Sequence, residues 1–288
     1  MSSAAVSQPV AARRARLPRV RTIFVGLSIG WLAIVAFVVV AGPLVAPRSP
    51  ASQDLIRGLA GPSGSHLLGT DELGRDILSR ALIGTRSPVL GALAIAFGAM
   101  ILSVTFGLVA GYRGGRTESL VMRGIDLLLA MPALLVIIVV AGAFGGGYVV
   151  AVLLLIALSA PWDARIIRGV TLEQKPRAYV EAARVMRLSD RRVMFSHILP
   201  NVLPLVIVNA CLDFTFGLVT LAALSFVGLG VEPGSADWGL MVFENRGVLS
   251  INPWAALAPA LLIVATAVSA NIVGDWLYER VDTKGRAR

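Results

Sequence analysis

The sequence predicts an all-α integral membrane protein of six transmembrane helices with both termini in the cytoplasm. Three observations predict it. The 288 residues are 56% hydrophobic and only 15% charged, where soluble domains carry about a quarter charged residues. Mean hydropathy is +0.79. The apolar residues gather into long runs, each close to the roughly 20 residues that a helix needs to cross a bilayer core about 30 Å thick.

Residues 1–22, rich in Ala, Arg, Ser and Pro, are expected to form a disordered basic cytoplasmic tail. Ile23–Val45 is the first span. Its apolar run exceeds the roughly 7–15 residues of a signal-peptide core, so it reads as an uncleaved anchor. Residues 46–87 form an external segment. Within it Leu73, Ile77, Leu78 and Leu82 mark an amphipathic helix over Gly69–Arg86, interleaved with Asp71, Glu72, Arg75, Asp76, Arg80 and Arg86. Pro88–Gly111 is the second span. Gly84, Gly91, Gly98 and Gly107 recur at or near seven-residue intervals, which lets membrane helices pack closely.

The third span is Leu127–Phe144 and the fourth Tyr148–Trp162. The fourth is short: it is either extended by Asp163–Ile167 or is a thin span buried in protein. Leu199–Leu221 and Trp254–Leu277 are the fifth and sixth spans. Residues 88–280 thus form one membrane core, carrying a polar insert at 163–198 and followed by a cytoplasmic tail over 281–288.

Orientation follows from the basic residues, which favour cytoplasmic loops. With the N-terminus inside, 20 of the 26 Lys and Arg fall on the cytoplasmic side and 6 outside. The net charge of +9 is this loop bias and not a nucleic-acid footprint. One cysteine, Cys211, and two distant histidines, His66 and His197, cannot build a zinc site.

The insert is the anomaly. Tyr179, Ala182/Ala183 and Met186 recur at helical spacing, while Arg177, Glu181 and Arg184 share another face with i,i+4 and i,i+3 pairing. Leu188-Ser189-Asp190 breaks the pattern, and Ser189 or Asp190 can cap a second helix over Arg191–Ile198. Pro200 and Pro204 are expected to kink the start of the fifth span. Two short helices at an elbow result. They either dock in a partner's groove or lie at the lipid headgroups.

Glu181-Ala182-Ala183, followed after fourteen positions by Ile198-Leu199-Pro200, resembles the EAA loop of ABC-importer permeases. Leu68-Gly69-Thr70-Asp71-Glu72-Leu73-Gly74-Arg75-Asp76 is similar to a segment of one branch, the second permease subunit of dipeptide, oligopeptide and nickel importers. Ala110-Gly111-Tyr112, Met131-Pro132-Ala133, Leu224–Gly230 and Asp237-Trp238-Gly239 follow in that branch's order, so the likeness runs from residue 66 to residue 280.

The resemblance implies a type I ABC-importer permease fold and a heterodimer with a homologous second permease. It further implies two cytoplasmic ATPase subunits and an extracellular or periplasmic substrate-binding protein, in a bacterial plasma membrane. The chain itself would bind no cofactor; ATP and magnesium would sit on the ATPase subunits. The elbow would be the coupling-helix pair, with Glu181, Ala182, Ala183, Arg187, Ser189, Asp190, His197, Leu199 and Pro200 at the ATPase interface or its hinge.

Three departures stand out. The branch usually has Gly at the elbow, where this chain has Arg187. A left-handed residue other than Gly costs about 1–2 kcal/mol. The preferred reading is that the elbow is not left-handed; the other is that Arg187 is strained in exchange for an ATPase contact. Leu221 replaces a frequent Glu, and Asp282-Thr283-Lys284 a usual Asp-Pro pair.

Neither lysine, Lys175 nor Lys284, stands in a phosphate-cradling Gly-x-x-x-x-Gly-Lys-Ser/Thr loop, so nucleotide belongs to another subunit. Asp213 lies roughly 21 Å along the fifth span at helical rise. A membrane acid is a functional candidate by default: it lines the translocation path with Asn209, or it pairs with Asn209 or a neighbouring helix. Catalysis has little support without a second acid nearby in sequence. Outside, Glu232, Asp237, Trp238 and Glu244 are the docking candidates for a binding protein, although Trp238 and Trp254 equally suit an interfacial belt. The segment Gly69–Arg86 is read first as an interfacial helix with internal salt bridges. The function expected is peptide import, with nickel or another small solute as the alternative and an ion-driven carrier or membrane enzyme as rivals.

Overall fold

In lipid only a helix or a closed barrel satisfies every backbone N–H and C=O, and the apolar runs accordingly become helices. The computed structural model describes residues 18–143 and 146–286. Most of the tail expected over 1–22 therefore lies outside the described residues. The helices are α1 (Pro18–Val45), α2 (Ile77–Ile83), α3 (Arg86–Arg113), α4 (Gly115–Leu129), α5 (Ala133–Ala143) and α6 (Tyr148–Gln174). There follow α7 (Ala178–Val185), α8 (Asp190–Arg192), α9 (Leu199–Phe226), α10 (Trp238–Glu244) and α11 (Trp254–Arg286). Among the described residues there is no strand, only an isolated bridge between Thr70 and Asp76.

Among the described residues five helices are long and apolar enough to cross a membrane: Arg21–Val45, Ile77–Arg113, Tyr148–Gln174, Asp190–Phe226 and Trp254–Val281. The run expected as the third span, Leu127–Phe144, is divided. Its first residues end α4, and Pro132, which cannot donate to a helix ladder, precedes the 11-residue α5. Phe144 lies outside the described residues. The span expected to be short is instead the robust one: α6 continues 12 residues beyond Trp162, through the Asp163–Ile167 segment, to Gln174. The sixth span likewise continues as helix to Arg286, where a separate tail was expected from residue 281.

The core is built on α3, α6 and α9. Glycines on α3 set how closely α6 approaches. A Cβ on Gly107 would stand 2.6 Å from the Ala164 carbonyl oxygen, and one on Gly98 2.7 Å from the Ile156 side chain. Two apolar layers join the three helices. One holds Leu108, Ile167, Val202 and Val206 toward the insert, and the other Ile95, Ala151, Leu155 and Leu221 toward the opposite end. The first layer also takes Val180, Ala183 and Val193, so the elbow is packed onto the spans and does not hang from them.

Candidate functional site

The elbow is closed by its own backbone. The Leu188 N–H donates to the Ala183 carbonyl at 3.2 Å and the Arg187 N–H to the Arg184 carbonyl at 2.8 Å. This is the Schellman pattern, which requires its C′ residue to be left-handed. Arg187 is that residue, with φ +55°. The preferred expectation of an elbow that is not left-handed is therefore overturned. The motif needs a positive φ, and here a non-glycine side chain bears it.

The second arm differs from expectation in its cap. Ser189 occupies the N-cap position of α8 without a side-chain bond. The Asp190 carboxylate accepts from the Tyr112 hydroxyl of α3 at 3.1 Å instead. After α8 the chain widens into a π-helical turn over Val193–Ile198 before α9. Pro200 lacks the N–H that would reach Ser196, and its ring would crowd that carbonyl in a regular helix; the wider turn relieves both. Asp190–Phe226 is nevertheless one continuous helical rod.

Tyr112 grips both arms. Its ring lies under the Arg184 guanidinium of α7 at 5.2 Å, and its hydroxyl holds Asp190. Arg184 is thereby drawn away from Glu181. Among the described residues Glu181 makes no ion pair, contrary to the i,i+3 and i,i+4 pairs that the spacing suggested.

The apolar stripe read from the sequence divides between two faces. Val180 and Ala183 point inward, 0% and 1% exposed. Tyr179, Ala182, Val185 and Met186 face outward, and Val185 is 82% exposed. Glu181, Arg187, Ser189, Asp190 and Pro200 are also exposed, while His197 and Leu199 are half-buried. The elbow thus presents exposed apolar side chains on a backbone that is locally locked.

The outer residues behave differently. Trp238 is fully buried, its indole N–H donating to the Ala81 carbonyl at 2.9 Å. Asp237 caps α10, accepting from the N–H groups of Gly239 (2.9 Å) and Leu240 (3.2 Å), and bonds the Ser87 hydroxyl. Glu244 accepts from Arg75 at 2.8 Å and Arg80 at 3.1 Å, while Arg75 also pairs with Asp71 at 2.6 Å. The side chains of Asp237 and Trp238 are thus committed inside the chain, and that of Glu244 is largely so. Glu232 alone of the four is fully exposed.

The amphipathic helix expected over Gly69–Arg86 is also shorter than expected, starting at Ile77 behind the capping Asp76. Its salt bridges exist but are buried and reach across to α10. Burial works against the Asp76 carboxylate. The Ser79 hydroxyl and N–H, with His66, outweigh it and hold the group below its ordinary range.

In the membrane Asn209 and Asp213 share one buried face of α9. Asp213 has a neighbour absent from the sequence reading: Asp163 of α6, near enough for the two carboxyl groups to interact. Of the two readings of the fourth span, the extension through Asp163–Ile167 is the one α6 follows, and it carries Asp163 into the helix. Its i,i+4 spacing from Ser159, in line with Leu155 and Ile167, was the signal that could have placed it.

The comparisons agree with this geometry. Residues 103–286 match the family model described as "Binding-protein-dependent transport system inner membrane component". The chain is 38% identical to a glutathione transport system permease protein of Pectobacterium atrosepticum, covering 78% of this chain and 74% of that protein. It is 32% identical to a dipeptide transport system permease protein of Alkalihalophilus pseudofirmus (89% and 85%) and 33% identical to an oligopeptide transport system permease protein of Bacillus subtilis (90% and 85%). Among solved structures an inward-facing methionine ABC transporter matches with a TM-score of 0.54 at 21% identity, over 69% of this chain and 96% of that one, a likeness of fold.

Proposed function

The chain belongs to the family of binding-protein-dependent transport system inner membrane components, and from that premise we propose that it forms half of the translocation pathway of an ATP-driven peptide importer. Relatives named for dipeptides, oligopeptides and glutathione support the substrate class. A homologous second permease supplies the other half, two ATPase subunits bind ATP and magnesium, and a binding protein delivers substrate outside.

The observation that carries the reading is the exposed apolar face of a locked elbow. A lever must be stiff, must be gripped, and must reach the spans. The Schellman closure and the Tyr112 clamp stiffen it. Tyr179, Ala182, Val185 and Met186, with Glu181 and Arg187 beside them, offer the grip. The rod from Asp190 to Phe226 carries displacement to the outer side, so that closure of the ATPase pair moves the spans between inward- and outward-facing arrangements. His197, Leu199 and Pro200 belong to the hinge and Ser189 to the grip. On the outer side Glu232 is the docking residue we retain.

Ala182→Trp is the test. The side chain is exposed, so the variant inserts and folds as wild type. Uptake of a labelled dipeptide should fall to background, and the ATPase subunits should no longer co-purify. Normal uptake by this variant sinks the proposal. Ala183→Trp is the poorer probe, since Ala183 is buried and the change would disturb packing. An ion-driven carrier would instead lose uptake to ionophores and ignore ATP depletion. The paired membrane carboxyls do not revive the enzyme reading, because family membership makes this chain a permease.

A further inference from the structure

Four polar residues form a layer between the two apolar layers of the core. Ser159 and Asp163 stand one turn apart on α6, and Asn209 and Asp213 one turn apart on α9. Exposure is 9%, 6%, 9% and 8% respectively. Each contributes a buried side-chain atom without a hydrogen-bond partner: Ser159 Oγ, Asp163 Oδ2, Asn209 Nδ2 and Asp213 Oδ2. Among the described residues the one other such atom is Arg80 Nε, in the outer network. Unmet buried polar atoms are rare, and each calls for an explanation. Here they converge.

Hydrogen bonding alone does not settle the layer. A buried water could meet the hydroxyl and the amide, but it brings no charge. Two ionised carboxyls at membrane depth with no counter-charge are prohibitively costly.

The charges on the elements packed around them are spent or distant. On α6 itself, Arg165 pairs with Asp126 and Arg168 with Glu118, both of α4. The α4 cations, Arg116 and Arg123, form no ion pair with the layer. α3 carries Arg86 and Arg113 at its two ends, and its buried Ser103 hydroxyl donates to the Met100 carbonyl. α10 offers Glu244, held by Arg75 and Arg80. α11 carries its charges, Asp275, Glu279, Arg280, Asp282, Lys284 and Arg286, only in its last turns, with Arg280 over the Trp276 ring at 4.1 Å, and α5 has no charge.

We propose that Ser159, Asp163, Asn209 and Asp213 form an intramembrane binding site for one small monovalent cation, a proton or a sodium ion. Both satisfy the same chemistry, a single positive charge among carboxyl and hydroxyl oxygens. The site joins the two helices that bracket the elbow: α6 leads into α7, and α9 continues from α8. A cation held there ties the two arms of the lever, and parting them would strand its charge. The inference concerns this chain whatever solute it moves.

The experiment uses the full-length chain, with the subunits that co-purify, in lipid nanodiscs. Infrared spectra are recorded at neutral pH with sodium and with choline as the only added cation, alongside equilibrium binding of radioactive sodium. If a proton fills the site, a protonated-carboxyl band is present in both buffers, shifts in deuterated water, and is absent from the isosteric Asp163→Asn/Asp213→Asn variant. If sodium fills it, the wild type retains one sodium per chain, the band appears only in choline, and retention falls at least tenfold in Asp163→Asn. Either result supports the site and names its occupant. A wild type with neither band nor retained sodium overturns it, and so does a signal unchanged in the double variant. The wild-type spectra decide even if the variants fail to assemble.

Discussion

The two ends of the molecule use charge in opposite ways. At the end that carries α2 and α10, Asp71, Arg75, Asp76 and Arg80 are nearly fully buried, 1%, 4%, 4% and 1% exposed, and are bonded to one another, to α10 or to the chain around them. At the elbow Glu181, Arg187, Arg191 and Arg192 are exposed, and among the described residues they form no such network. Charge buried within a chain is spent on fixing that chain's shape. Charge left in water, beside exposed apolar side chains, remains available to a partner. The outer segment therefore reads as a rigid cap over the spans, and the elbow as a handle.

The comparison breaks most visibly at Arg75. Truncating it to Met leaves Asp71 and Glu244 with less of their counter-charge, and loss of one member of a buried ion network costs about 3–5 kcal/mol. The expected outcome is a marked drop in thermal stability, followed by reaction of Cys211 with a thiol dye on heating. ATP hydrolysed per peptide imported should not change in the molecules that remain folded. A stable Arg75→Met chain would mean that the outer charges are not structural.

The elbow should show the reverse. Tyr112→Phe removes one hydrogen bond to Asp190, worth about 1 kcal/mol, and keeps the ring under Arg184. Tyr112→Leu removes the cation–π contact as well, roughly 0.5–1 kcal/mol, and also truncates a ring buried in the core. Stability should fall only slightly in Tyr112→Phe and further in Tyr112→Leu. Uptake per ATP should fall several-fold in Tyr112→Leu and by less in Tyr112→Phe, because a loosened handle slips. Equal uptake per ATP in all three proteins would deny Tyr112 its positioning role.

This asymmetry also decides what the sequence could reveal. The spans were legible because a bilayer demands long apolar runs, and the elbow because its helical spacing is interrupted by Leu188-Ser189-Asp190. Long-range pairing was not legible. Nothing local ties Glu244 to Arg75, 169 positions earlier, or turns Trp238 inward onto Ala81. Asp163 was misplaced because hydropathy ends a span at the first charge, whereas α6 runs on through it to Gln174. Leu127–Phe144 was apolar enough to be read as one span. Pro132 divides it, since a missing N–H weighs more locally than the average hydropathy of a window.

Arg187 gives the finest distinction between handle and cap. Its left-handed backbone costs about 1–2 kcal/mol relative to glycine, and the Schellman closure fixes that conformation whichever residue is present. Arg187→Gly should therefore raise stability by about 1 kcal/mol, seen as a small rise in melting temperature, with the elbow geometry unchanged. Transport then separates two origins of the strain. If the guanidinium contacts the ATPase, uptake falls although the protein is more stable. If the side chain only tolerates its position, uptake is unchanged. A stabilised variant that transports less would show that this chain keeps an unfavourable backbone at the elbow for the sake of the grip.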